Sequence, residues 1–177
     1  MFLDLKKIER DGVAIDAPLE IAPLHGPGDL PAPVRDARIW GTAVPEGRGV
    51  EFRGGLRARV ELACSRCLRP VELPIALDDL YLVLVPGVDE PGASAAQDAA
   101  QDAAVFVGRG TGVDLVDVAT EQIYLQLPLK PVCREDCKGL CATCGADRNT
   151  ETCDCAEQGV DPRLAPLLQF RRPSGGV

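Results

Sequence analysis

Cysteine thiols are the side chains of this chain whose spacing points most clearly to chemistry. Six of the eight cysteines lie between residues 133 and 155, and the other two form the pair Cys64 and Cys67. Two thiols separated by two residues can reach one ion from a single tight turn, and a second pair completes a tetrahedral zinc site. The candidate metal ligands are Cys64, Cys67, Cys133, Cys137, Cys141, Cys144, Cys153 and Cys155.

The spacing also suggests how these thiols divide between one or two structural Zn²⁺ sites. One ribbon-like site would use the last four cysteines, Cys141, Cys144, Cys153 and Cys155. A second site would use the remaining four, Cys64, Cys67, Cys133 and Cys137. The second site would join two distant segments of the chain. The alternative is a single site drawn from residues 133–155, with Cys64 and Cys67 as packed free thiols.

A secreted disulfide framework is the ordinary alternative for a cysteine-rich chain. Here, however, several cysteine pairs are separated by one or two residues, which is too close for comfortable bridging within a pair. Charged residues such as Asp4, Lys6 and Lys7 break the apolar run at the N-terminus, and this pattern predicts no signal peptide. No window approaches a membrane span. We therefore expect a cytoplasmic protein whose clustered thiols stay reduced and favour metal.

Catalytic signals are weak elsewhere in the sequence. A closed shell of four thiolates leaves no open position for a substrate. The only histidine, His25, lies in a Pro- and Gly-rich stretch, so a zinc-hydrolase ligand set cannot be assembled. No glycine-rich phosphate loop and no G-x-S-x-G elbow occurs. We expect a non-enzymatic protein without a small-molecule substrate, and a thiol redox or metal-handling role is the alternative.

Alternating hydrophobicity dominates the segments that must position these thiols. Residues 34–44 and 50–62 are predicted as strands, and the second alternates cleanly except at Gly54. Residues 71–77 alternate again, although Pro74 favours an edge position. Since the pair Cys64-x2-Cys67 lies between the last two runs, we expect a long antiparallel hairpin with two thiols at its tip.

The remaining segments give shorter signals. We expect an edge strand near residues 1–8, a second near 18–22 and a short strand at 105–107. Residues 78–85 are apolar and could be strand or short helix, because their periodicity does not decide. The pattern from Asp114 to Leu127 predicts a helix with Asp114 as N-cap, which Pro128 ends. Residues 161–168 suggest a turn or short helix.

These pieces predict one strand-rich α+β domain over residues 1–177. It comprises an antiparallel meander at 34–85 that carries the first cysteine pair, a low-complexity loop at 86–104, and a helix plus zinc-ribbon-like cysteine segment at 105–168. A short tail follows at 169–177. With 177 residues, of which 46% are hydrophobic, the chain can bury a core of its own. The fold therefore need not depend entirely on metal.

The charge distribution bears on possible partners. The formal net charge of −8 is a poor match to a polyanion and suits a basic protein partner, or simply solubility. Against this total, five arginines cluster near the first cysteine pair: Arg53, Arg57, Arg59, Arg66 and Arg69. They could contact RNA phosphates, compensate thiolate charge or form a solvated strand face. No interleaved aromatic residues indicate a base-stacking platform.

The combination of motifs resembles the YceD family of large ribosomal RNA subunit accumulation proteins, over roughly residues 34–168. The matching pieces are Cys64-Ser-Arg-Cys67-Leu-Arg-Pro, Glu121-Gln-Ile-Tyr-Leu-Gln-Leu-Pro128, Cys137-Lys-Gly-Leu-Cys141-Ala-Thr-Cys144-Gly, Asn149 before Cys153-x-Cys155, and Asp161-Pro-Arg-Leu-Ala165. Each piece is weak by itself, whereas the combination is specific.

The resemblance implies a non-enzymatic cytosolic or plastid factor that is needed for large-subunit ribosomal RNA to accumulate, and hence a role in ribosome biogenesis. The implied partner is a large-subunit precursor, contacted through ribosomal RNA, a basic ribosomal protein or both. The chief alternative is a zinc-ribbon module that binds RNA by itself. The spacing, the charge and the resemblance leave open which of these partners is touched directly.

Overall fold

A five-stranded sheet organises the described part of the chain. The structure is a computed structural model that describes residues 1–47, 49–87, 104–155 and 163. In chain order the strands are β1 (Phe2–Asp4), β2 (Val13–Pro18), β3 (Leu24–His25), β4 (Pro31–Ala32), β5 (Val34–Glu46), β6 (Gly49–Ala63), β7 (Pro70–Val85), β8 (Ala104–Val107) and β9 (Gly112–Asp114). Helix α1 (Leu115–Gln126) follows, and short 3-10 turns lie at Leu5–Lys7 and Pro27–Asp29.

The main sheet has the order β2-β5-β6-β7-β8. Its first four strands pair in antiparallel fashion, whereas β8 pairs with β7 in parallel. Two small sheets, β1–β9 and β3–β4, complete the described strands. The predicted strand-rich class with one helix is confirmed, but the main sheet is mixed. A parallel neighbour needs a connection of about a dozen residues or more, and residues 86–103 are long enough to supply it.

The predicted long hairpin is confirmed as β6 and β7, which pair from Val50 with Leu84 down to Ala63 with Pro70. Residues 78–85, which the sequence left open, are part of β7. The register shifts between Gly54 paired with Leu80 and Leu56 paired with Leu77, so β7 bulges at residues 78–79. The residues of β7 that join the main core are odd-numbered before the bulge, as Ile75 is, and even-numbered after it: Leu80, Leu82 and Leu84. Val83 and Val85 are buried as well, so residues 80–85 are apolar without alternation, which explains why the periodicity was undecided.

The structure explains why two residues that are unfavourable in strands, Pro74 and Gly54, occur within β7 and β6. On its far side, β7 pairs with β8 only through residues 82–85, so Pro74 has no strand partner there among the described residues. This placement confirms the predicted edge position. At Gly54, a Cβ atom would lie 1.9 Å from the carbonyl oxygen of Trp40. Only glycine fits where β5 and β6 approach so closely.

The core lies mainly against the inward face of the main sheet. Its largest fully buried side chains include Ile39 from β5, Phe52 and Leu56 from β6, and Leu82 from β7. Helix α1 packs against this face, and its buried residues include Val118, Ala119 and Ile123. Because this cluster contains no cysteine, it does not depend on the thiols.

The predicted helix is confirmed with nearly the expected bounds. The Asp114 carboxylate accepts a hydrogen bond from the backbone N–H of Val116 at 2.9 Å, which is the N-cap contact expected from the sequence. The helix ends at Gln126, just before Leu127 and Pro128, because the residue before a proline is pushed out of helical conformation.

The strand predicted near residues 18–22 is wrong. Instead, β2 occupies Val13–Pro18, and it is preceded by a turn in which the N–H of Gly12 bonds to the carbonyl of Glu9. Gly12 has a φ of +78°, which glycine adopts without strain. The predictions for residues 88–103 and for most of 156–177 lie outside the described residues. Within the described part, no helix is long and apolar enough to cross a membrane.

Candidate metal centres

The structure brings the cysteines from residues 64–67 and 133–137 into one cluster, the first tetrad. Its members are Cys64, Cys67, Cys133 and Cys137, whose sulfur atoms all lie within 4.8 Å of one another. The Sγ atoms of Cys67 and Cys133 are 3.6 Å apart, and those of Cys64 and Cys137 are 4.0 Å apart. Four sulfurs bound tetrahedrally to zinc at about 2.3 Å lie about 3.8 Å from one another. The separations therefore fit a single ion.

The remaining four cysteines form the second tetrad, which comes entirely from the C-terminal segment. Its members are Cys141, Cys144, Cys153 and Cys155, and their sulfurs also lie within 4.8 Å of one another. The turn between the first two closes with a hydrogen bond of 2.9 Å from the N–H of Gly145 to the carbonyl of Cys141. Gly145 has a φ of +77°, the left-handed conformation for which the sequence suggested a glycine.

The two tetrads are positioned to bind metal ions, and they match the division that the spacing favoured over a single site. All eight cysteines are free thiols. They differ in exposure: Cys64, Cys67 and Cys137 are buried, whereas no member of the second tetrad is buried and Cys144 is exposed. The assignment of these residues as metal ligands stays a prediction.

Backbone amides polarise the first tetrad. Burial raises the pKa of the Cys64 thiol, but N–H groups of Cys67, Arg66 and Cys133 outweigh it and lower the pKa to about 6. In Cys133, whose sulfur faces the other three, desolvation and the hydrogen bond with Cys137 raise the pKa to about 12. Four thiolates would repel one another at these distances, so a cation among them is needed for all four to ionise.

The second tetrad repeats this electrostatic arrangement. The N–H groups of Cys144 and Thr143 lower the pKa of Cys141 to about 6. The hydrogen bond with Cys144, followed by desolvation, raises the pKa of Cys155 to about 12. Each tetrad thus combines a thiol whose pKa is lowered by backbone N–H groups with a thiol whose pKa is raised by desolvation and by the neighbouring sulfurs. A divalent ion would stabilise the thiolate form of both.

Arg66 links the tip of the β6–β7 hairpin to the cysteine segment. Its Nη1 donates to the carbonyls of Glu135 and Cys137 at 3.0 and 2.9 Å, and its own carbonyl accepts from the N–H of Leu140 at 3.0 Å. A Cβ atom on Gly139, which has a φ of +71°, would lie 2.9 Å from the Arg66 carbonyl oxygen. Sequence reasoning missed this role, because spacing alone does not show which carbonyls an arginine reaches.

The side chain of Asn149 links the first tetrad to the surrounding segment. Its Oδ1 accepts from Nη2 of Arg134 at 2.9 Å and from the N–H of Lys138 at 2.8 Å. Its Nδ2 donates to Oδ1 of Asp147 at 2.6 Å and to Sγ of Cys137 at 3.5 Å. The sequence marked this asparagine only through its place in the resemblance, and gave no indication of these contacts.

The arginine cluster is largely neutralised by carboxylates of the main sheet and of the cysteine segment. Four of its members form ion pairs of 3.1–3.6 Å: Arg53 with Glu51, Arg57 with Asp78, Arg59 with Asp36, and Arg69 with Asp147. The sheet also places Arg53 over the ring of Tyr81 and Arg57 over the ring of Trp40. The local excess of positive charge in the sequence is therefore much reduced in the structure.

Comparison with known proteins shows what the chain is similar to. A family model described as "Large ribosomal RNA subunit accumulation protein YceD" matches residues 52–171, a range that contains both tetrads. A Zea mays protein named "Large ribosomal RNA subunit accumulation protein YCED homolog 1, chloroplastic" is 32% identical over 136 residues, which are 64% of this chain and 46% of that protein.

Two bacterial relatives extend the comparison. An uncharacterized protein of Mycobacterium tuberculosis is 34% identical over 129 residues, which are 71% of this chain and 57% of that protein. Another, from Bacillus subtilis, is 25% identical over 135 residues, or 76% of this chain and 73% of that protein. The chain thus spans about half the length of the Mycobacterium and maize relatives that it matches. No solved structure gives a significant match.

Replacement of Arg66 by methionine is expected to loosen residues 133–140 from the hairpin tip, because two charge-assisted hydrogen bonds are lost. Amide hydrogen exchange should become at least about 10-fold faster there, which corresponds to about 1.4 kcal/mol of local opening. Exchange in β6 and β7 should change little. Arg53→Met, which removes a surface arginine elsewhere on the sheet, is the control. Unchanged exchange at 133–140 in Arg66→Met would contradict the linking role.

Proposed function

The chain belongs to the YceD family of large ribosomal RNA subunit accumulation proteins, and from this premise we propose that it is a non-enzymatic ribosome biogenesis factor. In this role it supports the accumulation of large-subunit ribosomal RNA. The observation that carries the proposal is the family match over residues 52–171, which takes in the hairpin, helix α1 and both cysteine tetrads.

A large-subunit precursor is the partner that this role requires, and the charges favour contact through a basic ribosomal protein. The formal net charge of −8 repels phosphates and attracts basic surfaces. Four of the five clustered arginines already face carboxylates, which weakens the case for a stand-alone RNA-binding module. Contact with ribosomal RNA within the precursor would then be secondary to protein contact.

Both tetrads are proposed to hold structural Zn²⁺. Four sulfur donors at these separations suit zinc, which prefers tetrahedral thiolate sites in reducing compartments such as the cytoplasm. Zinc would supply no reaction here, since four thiolates fill its coordination shell. The cysteines of the first tetrad would join the hairpin tip to the segment after α1, and those of the second would fold that segment on itself. The result would be a fixed surface for a partner.

Metal analysis of the purified full chain tests the zinc assignment. Two zinc ions per chain are expected, and either double substitution, Cys64→Ser with Cys67→Ser or Cys141→Ser with Cys144→Ser, should reduce the content to one. Ser65→Ala, an exposed change between the first two cysteines, is the control and should retain two. A metal-free protein with oxidised thiols would contradict the assignment, and would favour a thiol redox role.

Sedimentation of extracts from growing cells tests the biogenesis role. The protein is expected to travel with large-subunit precursors and to return to the top of the gradient when ribosomal RNA synthesis is blocked. Its depletion should lower large-subunit ribosomal RNA relative to the small-subunit RNA. A protein found only at the top of the gradient during active assembly, with the RNA ratio unchanged on depletion, would rule out the proposed function.

A further inference from the structure

The segment from Cys137 to Asn149 belongs to both tetrads. Cys137 contributes a sulfur to the first tetrad, and Cys141, four residues later, contributes one to the second. The chain then turns back, and the side chain of Asn149 reaches Sγ of Cys137 at 3.5 Å. The second tetrad thus takes two of its ligands from a loop whose two ends both rest against the first tetrad.

Backbone hydrogen bonds fix the base of this loop. Leu140 and Asp147 form an isolated antiparallel bridge. The N–H of Cys141 donates to the carbonyl of Ala146 at 2.8 Å, and the N–H of Arg148 donates to the carbonyl of Gly139 at 3.0 Å. These hydrogen bonds therefore fix the distance between the two arms of the loop at its base, next to the first tetrad. Restraint of Leu140 at this base also restrains Cys141, the next residue in the chain.

Asn149 is the side chain that closes this base onto the first tetrad. Its amide makes two donor and two acceptor contacts, the full complement that an asparagine side chain commonly makes. Asp147, which accepts from both the backbone N–H and the Nδ2 of Asn149, also pairs with Arg69 at 3.2 Å. Asp147 and Asn149 together thereby contact both segments that build the first tetrad. Asn149 also precedes Cys153 of the second tetrad by four residues.

We propose that Asn149 is a positioning residue that couples metal binding at the two tetrads. This inference rests on the metal assignment made above and adds a relation between the two sites. An ion at the first tetrad would hold Cys137 and Asn149 in place and so fix the loop that carries Cys141 and Cys144. The second tetrad would then bind its ion with less loss of conformational entropy, and the reverse effect must be equal.

Exposure sets the expected order of filling. The first tetrad has three buried cysteines and joins two distant segments, whereas the second is more exposed and local. Donors from Asn149 and from the backbone N–H groups of Arg66 and Cys133 already surround sulfurs of the first tetrad. Hydrogen bonds of this kind orient metal ligands and strengthen binding. Backbone N–H groups also donate to Cys141 of the second tetrad, so the difference lies in the burial of the first tetrad and in the side-chain donor Asn149. We therefore expect the first tetrad to be the tighter site and the second to fill after it.

Metal titration of the reduced full chain measures the coupling. Apoprotein is titrated with Co²⁺, whose thiolate bands report tetrahedral binding, and the Co²⁺ is then displaced with Zn²⁺. Removal of the first tetrad by Cys64→Ser with Cys67→Ser should weaken binding at the second by about 5- to 150-fold. By reciprocity, the first ion should be held more tightly by the same factor in the doubly loaded wild-type chain than in Cys141→Ser with Cys144→Ser, which lacks the second tetrad; competition with a chelator measures this difference.

Asn149→Ala tests the residue itself. It should weaken the first tetrad by about 10- to 100-fold, the range typical of lost hydrogen bonds to metal ligands. The coupling factor, by which an ion at one tetrad raises the affinity of the other for its ion, should also fall toward one. A general loss of stability would not produce this change. Asn149→Asp should do at least as much, since it places a carboxylate against Cys137 and Asp147. Thr152→Ala, a change at an exposed position of the same segment, is the control and should leave both affinities unchanged.

Each outcome has a distinct meaning. Two tetrads that bind with affinities independent of each other would overturn the coupling and leave the zinc assignment intact. Coupling that persists in Asn149→Ala would overturn the role of Asn149. A wild-type chain that binds no metal would overturn the assignment and the coupling together. Circular dichroism of each variant shows whether the sheet has folded, and the Asn149→Asp variant supplies a second test if the alanine variant has not.

Discussion

The junction between the β6–β7 hairpin tip and the segment after α1 is the contact on which the C-terminal part of the structure depends. Four thiols meet there from two regions far apart in sequence, and the N–H of Ser65 bonds to the carbonyl of Pro131 at 2.7 Å beside them. Between Leu127 and Cys155 the described chain has no helix or strand, only one isolated bridge. A segment with so little regular structure needs cross-links, and the thiols are placed to supply them through an ion.

The sheet provides the platform for this junction without depending on it. Residues such as Phe52, Leu56, Leu82 and Ile123 form a continuous core between the sheet and α1. Only a small separate cluster, built from Cys64, Cys67 and Cys137 with three partly buried neighbours, lies under the hairpin tip. Metal in this protein would therefore shape a surface rather than create the fold. That division suits the role proposed above, in which the protein supplies a binding surface.

Local patterns in the sequence predicted much of the fold and the grouping of the thiols. The hairpin followed from alternation on either side of Cys64 and Cys67, and α1 from the Asp114 cap and its apolar stripe. The features that the sequence did not predict are set by the register between strands and by the order of strands in the sheet. The bulge of β7 at residues 78–79 shifts its register, and β8 adds in parallel after a long connection. The contacts of Asn149 likewise appear only once the loop has folded back, because no local pattern records them.

X-ray absorption at the zinc edge of the purified protein tests most directly whether sulfur holds a metal at the junction. Four sulfur neighbours at about 2.3 Å around each zinc are expected, with no oxygen or nitrogen in the first shell. A spectrum dominated by oxygen or nitrogen neighbours would contradict this arrangement. So would a protein that contains no zinc and whose cysteines are joined as disulfides.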